Sequence, residues 1–417
     1  MSSNNTSQIA AASALGRLSP VANAPSLESI VAAATQLVPL LREQGQQTEI
    51  NRRLSEEMSR RFEEAGFYRL MQPARYGGYE YGFTAMMDLI SEIGRGCASS
   101  AWAAALGVIH NWLLALFPEQ AQDDVWGPTP NALMCGSYAP VTMAEPTEGG
   151  WLIQGKWKFA SNVDNSQWAV LGVQFPPAEK GAPPGAGFVV VPRREWTIED
   201  DWFVAGQAGT GSKTVVIGKP SFVPAHRRLL FPEAASGKAP GTAVNTNPVY
   251  TIPFLAAMPV CLASPLLGAA QGAIDVFVDM CGSRVTRGGA GGGGNRLSGF
   301  SHVQSRLAGA AAAVDAARLV LDRDTSEVEH TVSAGNAISV DKRIRNRRGH
   351  AYSAKLCHGA IQDLFTTVGA SGLTLDQPIQ RIWRDGNMIA QHITLNWDAV
   401  STMAGQQMLG LEPKGAY

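Results

Sequence analysis

Apolar side chains recur every three or four positions between residues 26 and 126, a spacing that predicts amphipathic helices. Ser26 precedes the first of these helices and is a residue type that caps helix N-termini. The pattern predicts further helices over residues 54–65, 83–95 and 99–117. Pro118 marks the end of the last one, because proline is poorly tolerated inside a helix.

The spacing changes to every second position after residue 150. Large apolar side chains then alternate with smaller or polar ones at Trp151, Ile153, Trp157 and Phe159, as in a strand with one buried face. Segments 168–175, 187–191 and 213–223 are also expected to be strands, since Pro and Gly turns separate them. These strands predict a central β domain.

The helical spacing returns in the last third of the chain. Long helices are expected over residues 261–283, 301–324, 333–368, 378–392 and 396–409. Because the connections between them are short, they should pack antiparallel as a bundle.

The whole pattern predicts an α+β fold that is mainly α. We expect a mobile arm over residues 1–25, an N-terminal helical domain over 26–130, a central β-barrel or sandwich domain over 131–232, and a C-terminal four-helix bundle domain over 233–417. The glycine-rich segment 287–295 is interpreted as a flexible connector or lid. It is a poor phosphate loop, because it follows a helix and no Gly-Lys-Ser/Thr closes it.

Composition narrows the function classes. The 417 residues are 45% hydrophobic and 17% charged, which allows a large buried core. The formal net charge of -1 gives no field that favours nucleic acid or an anionic membrane, and we expect no membrane span. The five cysteines are odd in number and lack CxxC spacing, which argues against a disulfide framework or a zinc site and favours a reducing cytoplasm.

Two histidines are candidates for chemistry. Trp102, Leu106 and His110 are spaced by four residues and would share one helix face, and His392 lies near the end of the helix that begins at Pro378. Taken alone, each histidine is more typical of a hydrogen-bonded core position than of a catalytic group. None of the seven histidines has metal-ligand spacing, so we expect no metal.

The end of the bundle holds candidate ligand contacts. Gly369 and Gly372 would let the backbone approach a ligand closely. Arg381 and Arg384 are three residues apart on one helix face and could bind a phosphate or a carboxylate. An ion-pair network with Asp385 within the bundle is an equally good interpretation.

The chain also contains a series of short motifs. They are Pro73-x-x-Tyr-Gly-Gly78, Ser100-Ala-Trp102, His110-Asn-Trp112, Ser137-Tyr-Ala-Pro140, Gly149-Gly150, Gly155-x-Trp157, Gly209-Thr-Gly-Ser212, Asn247-Pro-Val-Tyr250 and Pro378-Ile-Gln-Arg-Ile-Trp-Arg-Asp385. In this order and spacing they resemble the two-component flavin-dependent aromatic monooxygenases, a branch of the acyl-CoA dehydrogenase fold family. The branch includes the oxygenase components of p-hydroxyphenylacetate 3-hydroxylase and of the seco-androstane steroid hydroxylase. The likeness runs from about residue 30 to the end, and no single motif is specific.

The resemblance implies an enzyme that uses diffusible reduced FMN or FAD from a separate NAD(P)H:flavin reductase. In this family, reduced flavin and oxygen form a flavin hydroperoxide, which hydroxylates a small aromatic substrate such as a phenol or an indole. The site must exclude water, or the intermediate releases hydrogen peroxide. The resemblance also implies a homotetramer, because this fold usually builds its flavin site across a subunit boundary.

The resemblance assigns roles to individual residues. His392 matches a histidine that helps to deprotonate the substrate, His110 one that contacts the substrate, and Ser161 a serine that bonds the flavin near its reactive edge. The flavin pocket would be lined by Trp102, Met134, Cys135, Gly136, Ser137, Ala160 and Ser161. The flavin tail or a neighbouring subunit would meet Arg284, Gly369, Ala370, Ser371, Gly372 and Arg381.

Two segments depart from the family pattern. Relatives read Ser-Ser-Ser-Tyr-Ala-Pro where this chain reads Met134-Cys-Gly-Ser-Tyr-Ala-Pro140, so Gly136 replaces a hydroxyl. Relatives read Trp-Ser-Ser-Gly-Cys-Asp-His where this chain reads Phe159-Ala-Ser-Asn-Val-Asp-Asn165. Both changes put a phenolic substrate in question and leave room for a fused ring.

Three other functions remain open at this point. An acyl-CoA dehydrogenase would need a carboxylate base, but Ile393 stands where the main dehydrogenase branch has it. A binding module without catalysis is disfavoured by the joint presence of His110, Ser161 and His392. Oxygenation of an amine or amino sugar at nitrogen stays possible within the same fold.

Overall fold

The computed structural model describes residues 17–177, 179, 181–285 and 294–417. Its N-terminal part is helical, as the sequence predicts. Ser26 caps the first helix by accepting the Ser29 amide, and Ser55 caps the second by accepting the Met58 amide. The helices are α1 (Leu27–Asn51), α2 (Glu56–Glu64), α3 (Phe83–Gly96), α4 (Ala98–Leu114) and α5 (Glu119–Trp126).

The central part is a sandwich of two four-stranded sheets. Its strands are β1 (Met134–Ser137), β2 (Glu145–Thr147), β3 (Gly150–Ala160), β4 (Trp168–Phe175), β5 (Gly185–Pro192), β6 (Thr197–Glu199), β7 (Lys213–Pro224) and β8 (Arg228–Leu230). One sheet has the order β1-β4-β5-β8 and the other β2-β3-β7-β6. Only the β1–β4 pair is parallel among the described strands. Trp157, Val173 and Val215 are buried between the sheets.

The C-terminal part is a helical bundle that follows two short helices, α6 (Phe231–Ala235) and α7 (Phe254–Ala257). Its long helices are α8 (Val260–Ser283), α9 (Ser301–Ser333), α10 (Val340–Thr367), α11 (Pro378–Ala390) and α12 (Trp397–Met408). The sequence prediction ended one helix at residue 324 and began the next at residue 333, and both bounds are wrong. The helix continues to Ser333 because its apolar spacing does, and it ends where Gly335 takes a φ of 73° and Ser339 caps α10.

One continuous apolar core joins the N-terminal helices to the bundle. Helices α3 and α8 approach so closely that a Cβ atom on Gly268 would lie 2.0 Å from the Ser91 carbonyl oxygen. Among the described residues, one segment, Phe254–Ser283, is long and apolar enough to cross a membrane, with a mean hydropathy of 1.5. It is 89% buried over its most apolar window, which is typical of a core helix.

Two sequence predictions fall largely outside the described residues. These are the glycine-rich segment, of which 287–293 are not described, and the arm, of which 1–16 are not described. Within 17–25, Leu18 is buried and its amide donates to the buried Glu329 carboxylate at 3.0 Å.

The bundle encloses an unpartnered imidazole. His350 on α10 is fully buried, and neither of its ring nitrogens has a hydrogen-bond partner among the described residues. Burial lowers the pKa of His350 to about 3, and the charges of Arg347 and Arg323 act in the same direction. The folded protein therefore holds this ring neutral in mildly acidic solution.

This burial predicts a pH-dependent stability. An unfolded histidine takes up a proton near pH 6.5, whereas folded His350 does not until about pH 3. The contribution of the neutral His350 ring to folding stability is thus fully present above pH 6.5 and is lost progressively as the pH falls. Between pH 7 and pH 5, the free energy of unfolding should fall by about 2 kcal/mol less in His350→Leu than in the wild type. Guanidinium unfolding at both pH values measures this difference, and an unchanged pH dependence would contradict it.

Candidate active site

The candidate site lies along one face of α4, at its contact with the β sandwich. Trp102 and His110 lie eight residues apart on this helix, about 12 Å along its axis at 1.5 Å per residue. Both are buried, and both contact aromatic or imidazole rings from other parts of the chain. The shared face predicted from the spacing is confirmed, and both of its rings pack against rings from outside the helix.

His392 comes to this face from the far end of the bundle. It follows α11, and its ring meets the Trp102 ring edge-on with centroids 5.6 Å apart. The Thr394 amide donates to its Nδ1 at 3.2 Å, so the neutral ring carries its proton on Nε2. Burial, followed by the charge of Arg347, lowers the pKa of His392 to about 4. At neutral pH His392 therefore offers an N–H donor at Nε2.

His110 has the opposite hydrogen-bond polarity. Its Nδ1 lies 2.7 Å from the carbonyl oxygen of Met134, which can only accept, so the proton of the neutral ring sits on Nδ1. Burial lowers the pKa of His110 to about 4. Nε2 is then an acceptor at neutral pH. The Tyr138 ring packs against the imidazole with centroids 5.8 Å apart.

Gly136 makes room for His110. A Cβ atom at this position would lie 2.6 Å from His110 Nε2 and 3.0 Å from Tyr138 Cε1. The space that the missing side chain leaves is thus filled by the imidazole. The departure from the family pattern at Gly136 does not enlarge the pocket for a fused ring at this point.

Strand β1 presents alternate residues to the site and to the sandwich core. Met134 and Gly136 face α4, whereas Cys135 packs in the core of the sandwich. The Ser137 hydroxyl donates to the Lys158 carbonyl at 2.8 Å, and Ala160 is buried in the same sandwich core. Of the predicted lining residues on β1, Met134 and Gly136 face α4, whereas Cys135 and Ser137 do not.

Ser161 follows β3 and reaches the other end of the α4 face. The indole N–H of Trp102 donates to its hydroxyl at 3.0 Å. The hydroxyl also lies 2.6 Å from that of Ser212, which is itself 2.6 Å from that of Thr210. The structure therefore joins two predicted site residues to a buried group of hydroxyls.

Helix α11 fixes the loop that leads to these hydroxyls. The Asp385 carboxylate accepts the Gln207 amide at 2.6 Å and the Ser99 hydroxyl at 3.3 Å, and burial raises its pKa to about 6. Arg384 pairs with Glu49 rather than with Asp385. The Arg381 guanidinium packs on Gly45, where a Cβ atom would lie 2.8 Å from its Nη2.

The remaining predicted contacts form a separate group. The Arg284 guanidinium donates to the Val368 carbonyl at 2.7 Å and to the Ser371 hydroxyl. Gly369 has a φ of 67°. This group lies beside the start of α11, whereas His392 follows its end, about 18 Å away along the helix axis. Arg284, Gly369, Ala370, Ser371 and Gly372 are thus not part of the α4 site within one chain.

Comparison with known proteins shows the family of the chain. Family models match residues 28–129 to the acyl-CoA dehydrogenase N-terminal domain and residues 260–397 to the acyl-CoA dehydrogenase C-terminal domain. The oxygenase component of the FADH(2)-dependent resorcinol hydroxylase of Rhizobium sp. (strain MTP-10005) is 44% identical over 93% of this chain and 96% of its own length. The chain belongs to the acyl-CoA dehydrogenase family.

Solved structures place it within the monooxygenases of that family. The 3-HSA hydroxylase from Rhodococcus sp. RHA1 has a TM-score of 0.86 at 32% identity, over 93% of this chain and 98% of that one. XiaF from Streptomyces sp., in complex with FADH2 and glycerol, has a TM-score of 0.85 at 27% identity, over 94% and 97%. The chain is a flavin-dependent monooxygenase of the oxygenase-component type, as the sequence predicted.

The α4 site of this family member fits a flavin. Ser161 has a hydroxyl oxygen beside the Trp102 indole, at the edge of a buried aromatic wall. The Tyr138 hydroxyl is buried without a partner among the described residues, a position that a bound ligand or water can satisfy. No three metal-ligand side chains converge in the part of the chain that the structure describes.

Sequence reasoning gave no role to three residues of this site. Thr210, Ser212 and Tyr138 appeared only as parts of motifs. The sequence feature that could have indicated them is a pair of hydroxyl residues, separated by one glycine, directly before β7. Their burial depends on the loop that Asp385 holds, which the sequence does not show.

The tight contact at Gly136 predicts a steric effect. Gly136→Ala should displace the His110 ring and lower kcat/KM for hydroxylation by about ten- to a hundredfold, since small misplacements of a reacting group are costly. Gly218→Ala is the matched control, because nothing lies within 4 Å of a Cβ atom there. Equal kcat/KM values for the two variants would show that the contact does not position His110.

Proposed function

We propose that this protein hydroxylates a small electron-rich phenol of the resorcinol type, using oxygen and reduced FAD. The observation that carries the proposal is the buried, neutral His110, whose Nε2 is an acceptor because Nδ1 donates to the Met134 carbonyl. Support for the substrate class comes from the 44% identical resorcinol hydroxylase component. One oxygen atom would enter the ring, and the other would leave as water.

The two imidazoles provide complementary contacts for a phenol. A phenolic O–H that donates to His110 Nε2 gains electron density on its oxygen and hence on the ring carbons ortho and para to it. His392 carries its proton on Nε2 and can donate to a second oxygen. The sequence prediction gave the proton-accepting role to His392. The hydrogen-bond partners favour His110 for that role instead.

The walls of the site support chemistry that must exclude water. Trp102, His110 and Ser161 are each less than a tenth exposed. Reduced flavin supplies the electrons that activate oxygen, and the protein supplies position and dryness. Ser161, Trp102 and the Met134–Gly136 stretch of β1 would hold the flavin ring.

The relatives support a choice of flavin and of its source. FAD is favoured over FMN because the name of one relative specifies FADH(2) and one solved relative contains FADH2. A separate NAD(P)H:flavin reductase would supply it, since the relatives are oxygenase components. The five thiols are all free and buried, which supports a reducing cytoplasm as the location.

A homotetramer is part of the proposal. The Arg284 and Gly369–Gly372 group lies too far from the α4 site to serve it in the same chain, so it would contact the flavin tail of a neighbouring subunit. Large apolar side chains near the bundle termini are also exposed, as at interfaces between subunits. They include Leu375, Ile393, Met408 and Leu409.

Oxidation of an acyl thioester is less well supported. It requires a carboxylate base beside the substrate, but the groups next to Trp102 and Tyr138 are the neutral imidazoles of His392 and His110. The Asp385 carboxylate already accepts the Gln207 backbone amide and the Ser99 hydroxyl. Neither an indole substrate nor oxygenation of an amine is favoured by a specific contact.

The acceptor role predicts the effect of removing each imidazole. His110→Asn should lower kcat/KM for resorcinol by about two to four orders of magnitude. His392→Asn should cost less, because it removes a donor rather than the acceptor. Each variant is mixed with reduced FAD and resorcinol without oxygen, and oxygen is then added. The hydroxylated product formed and the hydrogen peroxide released are measured. A larger loss in His392→Asn would reverse the assignment, and no product from any phenol would refute the proposed function.

The lowered pKa values predict the pH profile. His110 must be unprotonated to accept, and its pKa is about 4. The value of kcat/KM should therefore stay level from pH 8 down to about pH 5 and fall only as the pH passes through about 4. An ordinary histidine would give a fall near pH 6.5. Initial rates of hydroxylation across this range measure the profile, and an acid limb near 6.5 would contradict an acceptor with this burial.

A further inference from the structure

A series of buried hydroxyls, here called the hydroxyl relay, leads from Ser161 through Ser212 and Thr210 into the β domain. Ser161 Oγ lies 2.6 Å from Ser212 Oγ, and Ser212 Oγ lies 2.6 Å from Thr210 Oγ1. Thr210 Oγ1 lies 2.8 Å from the carbonyl oxygen of Gln207. At the other end, the Trp102 indole donates to Ser161 Oγ at 3.0 Å. All four side chains are buried.

The protons of this relay can be assigned by counting. Three oxygen–oxygen contacts of 2.8 Å or less need a proton each, and three hydroxyls supply three protons. The Gln207 carbonyl has none to give, so Thr210 must donate to it. Ser212 must then donate to Thr210, and Ser161 must donate to Ser212. Any other arrangement leaves two oxygen lone pairs facing each other without a proton.

The assignment leaves Ser161 as an acceptor towards the site. Its own O–H donates to Ser212 Oγ, and one lone pair accepts the Trp102 N–H. The remaining lone pair is free, and the oxygen has no proton to offer. A ligand atom at this position is bound through its own N–H or O–H.

The far end of the relay is fixed by the protein. The Gln207 carbonyl also accepts the Trp202 indole N–H at 3.0 Å, and the Gln207 amide donates to Asp385 at 2.6 Å. Arg384 donates to the nearby Ala205 carbonyl at 2.7 Å. The direction of the relay is therefore built into the folded chain before any ligand binds.

We propose that Thr210 and Ser212 are positioning residues that keep Ser161 a hydrogen-bond acceptor, so that the site discriminates between the two redox states of its flavin. Reduced flavin carries a proton on N5 and can donate there, whereas N5 of oxidised flavin can only accept. If Ser161 can only accept, it can bind the N5–H of reduced flavin, whereas its lone pair repels the N5 lone pair of oxidised flavin. This inference rests on the proposed function, because that function places the flavin edge at Ser161.

The test changes the relay without touching Ser161. Thr210→Val is nearly isosteric and removes the hydroxyl at the far end, which allows Ser212 to donate to Ser161 and frees the Ser161 proton for the site. Ser212→Ala frees the same proton directly. Thr214→Val is the matched control, since it removes a buried hydroxyl that bonds Asp201 at 2.7 Å outside the relay. Circular dichroism checks that each variant is folded.

The measurement is the ratio of dissociation constants for oxidised FAD and dithionite-reduced FAD, determined anaerobically by fluorescence titration. The wild type and Thr214→Val should prefer reduced FAD. In Thr210→Val and Ser212→Ala this preference should fall by about tenfold, the equivalent of one hydrogen bond. In a Ser161→Ala background, Thr210→Val should have no further effect, because the relay no longer ends at an oxygen.

Each outcome decides between the two claims. An unchanged ratio in Thr210→Val, with wild-type binding of reduced FAD intact, overturns the relay and leaves the proposed function standing. A similar fall in Thr214→Val also overturns it, since the effect would then come from general loss of packing. A wild-type protein that binds neither form of FAD overturns both.

Discussion

The hydrogen bond from His110 to the Met134 carbonyl sets the character of the candidate site. It joins α4 of the helical domain to β1 of the sandwich, and it fixes which ring nitrogen carries the proton. Because burial keeps the ring neutral, the other nitrogen is left as an acceptor facing Gly136. The orientation of the imidazole and its chemistry thus have a single cause. The position of the sandwich against α4 decides both.

A similar logic holds at the other end of α4. Trp102 and Ser161 join the same two domains, and the loop behind Ser161 is held by Asp385 from the bundle. All three domains therefore meet at one site. Helix α4 contributes side chains, the sandwich contributes backbone groups, and the bundle contributes the Asp385 carboxylate. A carboxylate as buried as Asp385 is costly unless its oxygens accept hydrogen bonds. Here they accept from the Gln207 amide and the Ser99 hydroxyl, which stabilises the loop that holds the relay.

The sequence predicts the architecture well, because each domain has its own periodicity. It also predicts the shared face of Trp102 and His110, since helical spacing is local information. It fails where the answer depends on a partner that is distant in the chain. Nothing local shows that Met134 is the partner of His110, or that the Gly136 cavity is filled by that ring. The direction of a hydroxyl relay depends on oxygen–oxygen distances, which no pattern of residue types contains.

At both ends of the site, a backbone carbonyl fixes whether a side chain donates or accepts a hydrogen bond. A side chain that can both donate and accept is ambiguous, and an ambiguous group can stabilise the wrong ligand as well as the right one. Burial beside a carbonyl removes the ambiguity, because a carbonyl accepts and never donates. The Met134 carbonyl does this for His110, and the Gln207 carbonyl does it for Ser161 through two hydroxyls. The direction of these hydrogen bonds needs no additional structure, since the carbonyls belong to strand and loop ends that the contacts between domains already hold in place.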